Sequence, residues 1–168
     1  MSNTKIDLID QLLGLEPDSS TYEARHFRDK VLHGTQDSYE ALFNAKIRLN
    51  LAWRYLVAIY ASQLSNAPEL LQHYIDEGQK HGVEQNQLVA VQSNRLEDIE
   101  DKQLRTILEF TAKLILKPIE GDKEAVLTLT KEGIEARDIV ALSQLIAFLS
   151  YQIRLFAGLK AMQAWEQK

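Results

Sequence analysis

Glu69, His73, Glu77 and His81 recur at every fourth position and so line one face of one helix. Carboxylates and imidazoles in such a row are zinc or iron ligands in principle. Each step advances the helix by about 6 Å, so one ion can take only two neighbours from the row. Other helices would have to supply the remaining ligands. The plainer expectation is a solvated face carrying Glu–His pairs, with no metal and no cofactor. His26 and His33, two turns apart beside Arg25 and Arg28, could do acid–base work near neutral pH. No nucleophile or carboxylate stands at a fixed spacing from them, so they read as surface or cap residues. Arg154 interrupts the apolar run Leu145–Leu159, flanked by Tyr151 and Gln152. A charge there must be paired, or must face a cavity or an interface. It either snorkels or pairs at the domain edge, or anchors a carboxylate or enolate. Trp53, Tyr55 and Tyr60 could line an apolar pocket, although aromatics at helical spacing are ordinarily core.

Several chemistries are excluded outright. The 168 residues contain no cysteine, which removes disulfides, iron–sulfur clusters, cysteine-rich zinc sites and any catalytic thiol. There is no glycine-rich phosphate loop, no nucleophile elbow and no H-E-x-x-H. A formal net charge of −5, with lysines and arginines spread singly, does not suit a nucleic-acid binder. The N-terminal Met1–Lys5 lacks an apolar leader, and Ile139–Leu149 is short and interrupted by Ser143 and Gln144. A cytoplasmic protein with no membrane segment is expected.

The elements that must hold these residues are helices. Only three prolines and seven glycines break the chain, which favours long helices over a sheet. Asn3 or Thr4 is expected to cap a first helix carrying Ile6, Ile9, Leu12 and Leu13, closed by Gly14. Ser20 or Thr21 should cap a second from Tyr22 to Leu32, broken near Gly34 and resumed from Thr35 to Phe43. Asn50 should cap a helix that is apolar almost all round (Leu51, Trp53, Tyr55, Leu56, Val57, Ile59, Tyr60, Leu64) and therefore central. Pro68 sits at the first turn of an amphipathic helix that stops at Gly82. Gln85–Val91 is a short helix, and Asp98 should open a longer one up to Pro118. Glu120–Asp122 forms a turn, Lys123–Lys131 a short helix stopped by Gly133, and a final helix runs from Ala136 to about Gln163. Residues 1–34 are taken as an N-terminal helical extension and 35–168 as the helical domain, together one all-α unit.

Two segments in this order resemble the alkylhydroperoxidase D / carboxymuconolactone decarboxylase superfamily. The first is Asn50-Leu51-Ala52-Trp53-Arg54-Tyr55-Leu56-Val57-Ala58-Ile59-Tyr60-Ala61-Ser62, followed by a helix ending His81-Gly82-Val83. The second is Gly133-Ile134-Glu135-Ala136-Arg137-Asp138-Ile139-Val140-Ala141-Leu142, leading into Ile146-Ala147-Phe148-Leu149-Ser150-Tyr151-Gln152-Ile153-Arg154. Leu104 to Gly121 is similar to the segment that precedes the second in the family. Tyr39-Glu40-Ala41-Leu42-Phe43 suggests a cysteine-poor subgroup. The resemblance covers roughly residues 35 to 162 and implies a compact, multi-helix AhpD-like bundle.

The departures fall where the family does its chemistry. The cysteine pair of the family falls at Ala67 and Leu70, its histidine at Tyr74 with His73 one place away, and its upstream glutamate at Tyr55 or Arg54. Peroxidatic turnover needs a thiolate, a base and a resolving thiol, so that activity does not carry over. The resemblance implies instead a ligand-binding module, or a partner subunit for a cysteine-containing relative. It also implies a homo-oligomer, whether dimer, trimer or hexamer. A cofactor-free decarboxylase or lyase acting on a small carboxylic acid or lactone is the alternative, with Tyr55, His73, Tyr74 and Arg154 as its candidate residues. A third possibility is a plain helical interaction protein without a pocket.

Overall fold

The computed structural model describes residues 7–166, and among them every regular element is helical. The chain is an all-α bundle. Helix α1 (Leu8–Leu13) starts where the Asp7 carboxylate accepts the Asp10 amide at 3.0 Å. It ends at Gly14, whose φ of 58° is the left-handed turn that favours glycine. The expected caps Asn3 and Thr4, and Ile6, lie outside the described residues. Helix α2 (Ser20–His26) is capped by Ser19, one place before the expected Ser20 or Thr21. The anticipated break near Gly34 is not there. The chain leaves helical geometry at Arg28 (φ −113°, ψ 81°), and α3 (Asp29–Leu42) runs unbroken through Gly34. A glycine in a helix costs about 1 kcal/mol relative to alanine but does not terminate it. The division at residue 34 thus falls inside α3.

Helix α4 (Leu51–Leu64) is capped by Asn50, whose side chain accepts from the Trp53 amide. Nine consecutive residues, Arg54 to Ser62, are buried. This all-round burial follows from position: α5 (Pro68–Lys80), α6 (Gln85–Gln92), α7 (Lys102–Leu116) and α9 (Ala136–Glu166) all pack on α4. Full burial of each large aliphatic side chain contributes about 1.5–3 kcal/mol, so α4 is the axis of the core. Asp101 caps α7 through the Leu104 amide, whereas the anticipated cap Asp98 belongs to a short 3-10 turn, Leu96–Asp98. Both are acids before an apolar run, and the 3-10 turn absorbs the first. Asp122 caps α8 (Lys123–Lys131), and Gly133 turns the chain at φ 84° into α9.

Helix α9 is 31 residues long. Leu142, Leu145, Ile146, Leu149, Gln152, Phe156 and Leu159 face the core. Because it continues well past Leu149, it is long and apolar enough to cross a membrane by length and composition, with 44% of that window buried within the fold. Val140, Tyr151, Met162 and Trp165 lie exposed on its other side. The N-terminal helices dock on this strut. Ser20 and Thr21 hydroxyls donate to Glu166, and Gln163 donates to the Leu13 carbonyl.

Candidate functional site

The superfamily chemistry implied by the resemblance would sit where α4 turns back into α5. The two helices approach closely at Gly78: a Cβ there would meet Val83 Cγ2 at 3.0 Å and Tyr55 Cβ at 3.3 Å. A side chain at 78 would have to push these neighbours aside, and this close contact brings the start of α4 against the end of α5. Around it the aromatic side chains close up. Phe43 stacks on Tyr55 with centroids 4.7 Å apart and meets Tyr74 at 5.5 Å, while Tyr39 packs on Phe43 at 5.2 Å. His81 lies parallel to Tyr55, with an interplanar angle of 3° and centroids 5.2 Å apart.

This place is dry. Leu70 and Tyr74 are each 0% exposed. The Tyr74 hydroxyl donates to Gln152 Oε1 on α9, and full burial holds its ionisation far above the usual tyrosine range. Ala67 is the residue at which α5 begins, in a tight link whose amide returns to the Ser62 carbonyl. Neither a proton shuttle nor a nucleophile occupies these positions.

Arg54 occupies one of the two positions expected for the family glutamate, and it is only 1% exposed. Its guanidinium donates to three backbone carbonyls: Leu49 at 2.9 Å from Nε, Asn44 at 3.1 Å from Nη2, and Leu42 from Nη1. Burial lowers its pKa, with no carboxylate beside it. The side chain ties the end of α3 and the following loop to α4. It is a clamp.

The row on α5 is dispersed among different partners. Glu69 pairs with Lys160 of α9, Glu77 pairs with Lys80 at 2.6 Å, and His81 lies 4.0 Å from Glu77. His73 Nε2 is 3.0 Å from the Tyr39 hydroxyl. Desolvation lowers the His73 pKa, opposed by the charge of Glu77, and raises that of Tyr39. The phenol therefore keeps its proton and faces a neutral imidazole, and the tautomer of the ring decides which of the two donates. His73 and Tyr39 are half-buried and reach the edge of the fold. Among the described residues no three His, Asp or Glu side chains converge to hold a metal ion.

Tyr55, His73 and Tyr74 are thus neighbours, whereas Arg154 is not with them. Gln152, which touches Tyr74, precedes Arg154 by two residues, so the two side chains leave α9 on nearly opposite sides. Arg154 is exposed, donates to the Ser150 carbonyl at 3.0 Å, and lines a cleft of about 170 Å³ with Ser65, Ile115, Ser150 and Ile153. It is not the buried charge that its apolar surroundings in the sequence imply. That charge is Arg54, which an equally apolar sequence context conceals. Of the other histidines, His33 is exposed within α3, with Nδ1 2.9 Å from the Asp29 carbonyl oxygen. His26 instead binds Asp10 at 2.6 Å and stacks on Tyr22, beside the buried Arg25–Asp7 pair.

Against known proteins, no family model and no curated protein matches the chain. Among solved structures it is similar to an uncharacterized peroxidase-related protein from Silicibacter sp. TM1040, with a TM-score of 0.70 at 20% identity. The match covers 81% of this chain and 71% of that one. At this identity the likeness carries the fold, an alkylhydroperoxidase D-like helical bundle.

Proposed function

We propose that this chain is a non-peroxidatic relative of the alkylhydroperoxidase D / carboxymuconolactone decarboxylase superfamily that acts as a binding module, not as a thiol peroxidase. One observation carries this reading. Ala67, Leu70 and Tyr74 stand where the resemblance expects two cysteines and a histidine, and the latter two are sealed from solvent with Tyr74 tied to Gln152. A redox centre needs access for its oxidant, and here the space is filled by packed rings. The exposed apolar residues of α9 support assembly with further copies or with a partner subunit. Its buried opposite side supports a role for α9 as a core strut and not as a membrane span. Native mass spectrometry of the untagged protein, purified gently from its own cell extract, tests the reading. A complex of several chains, or a retained small molecule, is expected. A bare monomer would count against it.

The Tyr39–His73 pair favours a second reading, a cofactor-free decarboxylase or lyase for a small carboxylic acid or lactone. A neutral, half-buried imidazole in hydrogen-bond contact with a phenol is a serviceable acid–base unit. Turnover of such a substrate, lost in both Tyr39→Phe and His73→Gln, would establish it over the binding module.

A further inference from the structure

We infer that the cleft between the end of α4, the end of α7 and the middle of α9 is a binding site for a short-chain monocarboxylate, held by Arg154. The inference rests on the binding-module reading and names its ligand class.

The cleft joins two kinds of wall. Arg154 brings a guanidinium that spends one N–H on the Ser150 carbonyl and has no carboxylate partner among the described residues. Ser65 and Ser150 line the same cleft. Ile115 and Ile153 supply an apolar side. One turn earlier on the same face of α4, the Ser62 hydroxyl is fully buried and makes no hydrogen bond. A buried hydroxyl without a partner is uncommon, and a ligand oxygen or its bridging water entering beneath Ser65 would satisfy it. The volume of about 170 Å³ lies below the roughly 300–1,000 Å³ of pockets that take drug-sized ligands, which fits a short-chain carboxylate such as butyrate.

The electrostatics make Arg154 the obligatory anchor. Helix α4 ends at Leu64 with Ser65 as its cap, so its negative end approaches the cleft and by itself repels an anion. A guanidinium reverses that sign locally and offers paired N–H groups matched to a carboxylate. Ile115 and Ile153 offer apolar contact to an alkyl chain, which a bare inorganic anion cannot use.

Titration of the isotopically labelled protein with sodium butyrate, followed by amide NMR at constant ionic strength, tests this. Saturable shifts confined to residues around Ser65, Ile115 and 150–154 are expected, with none from butyramide, which lacks the charge. Arg154→Gln should weaken binding at least about tenfold while leaving the melting temperature unchanged, because Arg154 is exposed. Ile115→Trp, which fills the cleft, should weaken it as well. No shift, equal shifts from butyramide, or full binding by Arg154→Gln would overturn the site. If butyrate fails while native mass spectrometry still finds a partner chain or another bound molecule, this site is refuted and the binding-module reading stands. If both fail, both fall.

Discussion

Replacing Arg54 by methionine keeps much of the side-chain volume and removes every donor. The Leu42 and Leu49 carbonyls lose the Arg54 hydrogen bonds, whereas Asn44 still accepts from the Ile47 amide. Two orphaned carbonyls cost about 1–3 kcal/mol each. Against this, the fold no longer has to desolvate a guanidinium, which returns part of the loss. A net destabilisation of about 3 kcal/mol results, or a melting temperature lower by roughly 6–12 °C for a chain of this length. Arg54→Lys keeps the charge but cannot span three carbonyls on two sides of a loop, so it should recover less than half. Arg54→Glu is the informative variant, because it installs the acid that the superfamily resemblance would place there. It sets a carboxylate against three carbonyl oxygens in a dry site and should be worse than methionine. Urea unfolding followed by circular dichroism gives the three values. Arg54→Met within about 1 kcal/mol of the parent, or Arg54→Glu as stable as the parent, would refute the clamp.

Other consequences follow from the same geometry. The His73 pKa is depressed in the fold, so the unfolded chain takes up the proton first. Stability contributed by the neutral ring is complete above the ordinary histidine range and is lost as pH falls through it; His73→Gln should flatten that part of the stability–pH profile. Arg25→Ala leaves the half-buried Asp7 and Asp10 side by side without the guanidinium that bridges them. It should cost about 3 kcal/mol and raise amide exchange first in α1 and α2, where the pair ties the N-terminal helices together. Gly78→Val drives a branched side chain into Tyr55, Ile59 and Val83. A loss of about 2 kcal/mol or more is expected by calorimetry, and a stabilised variant would contradict the close approach of α4 and α5.

Much of the scaffold was legible because its signals are local. Asn50 before an apolar run, Pro68 at a first turn, the Glu120–Asp122 turn before α8 and left-handed glycines at 82 and 133 each act within one helical turn. Gly34 misled because a single glycine lowers helix propensity without ending a helix, while the real interruption at Phe27–Arg28 carries no glycine or proline. The site was legible only in its vacancies. Cysteine absence is plain in composition, and the neighbourhood of Tyr55, His73 and Tyr74 follows from the α4–α5 hairpin. The pairing of Tyr39 with His73 spans 34 residues, and periodicity does not report such distances. Arg54 and Arg154 look alike in sequence, each a cation set within an apolar stretch of helix. Only the packing of the loop after α3 decides which one is buried.

On the proposed reading, the place where the superfamily resemblance expects thiols is packed shut and does not merely lack sulfur. The most direct measurement is the rate at which a soluble aromatic disulfide reagent modifies the thiols introduced by Ala67→Cys and Leu70→Cys, together with hydroperoxide turnover by the double variant. The thiol at position 70 is expected to react only as fast as the protein unfolds, with no turnover. Rapid modification of that thiol in the folded protein, or catalytic reduction of a hydroperoxide, would contradict it.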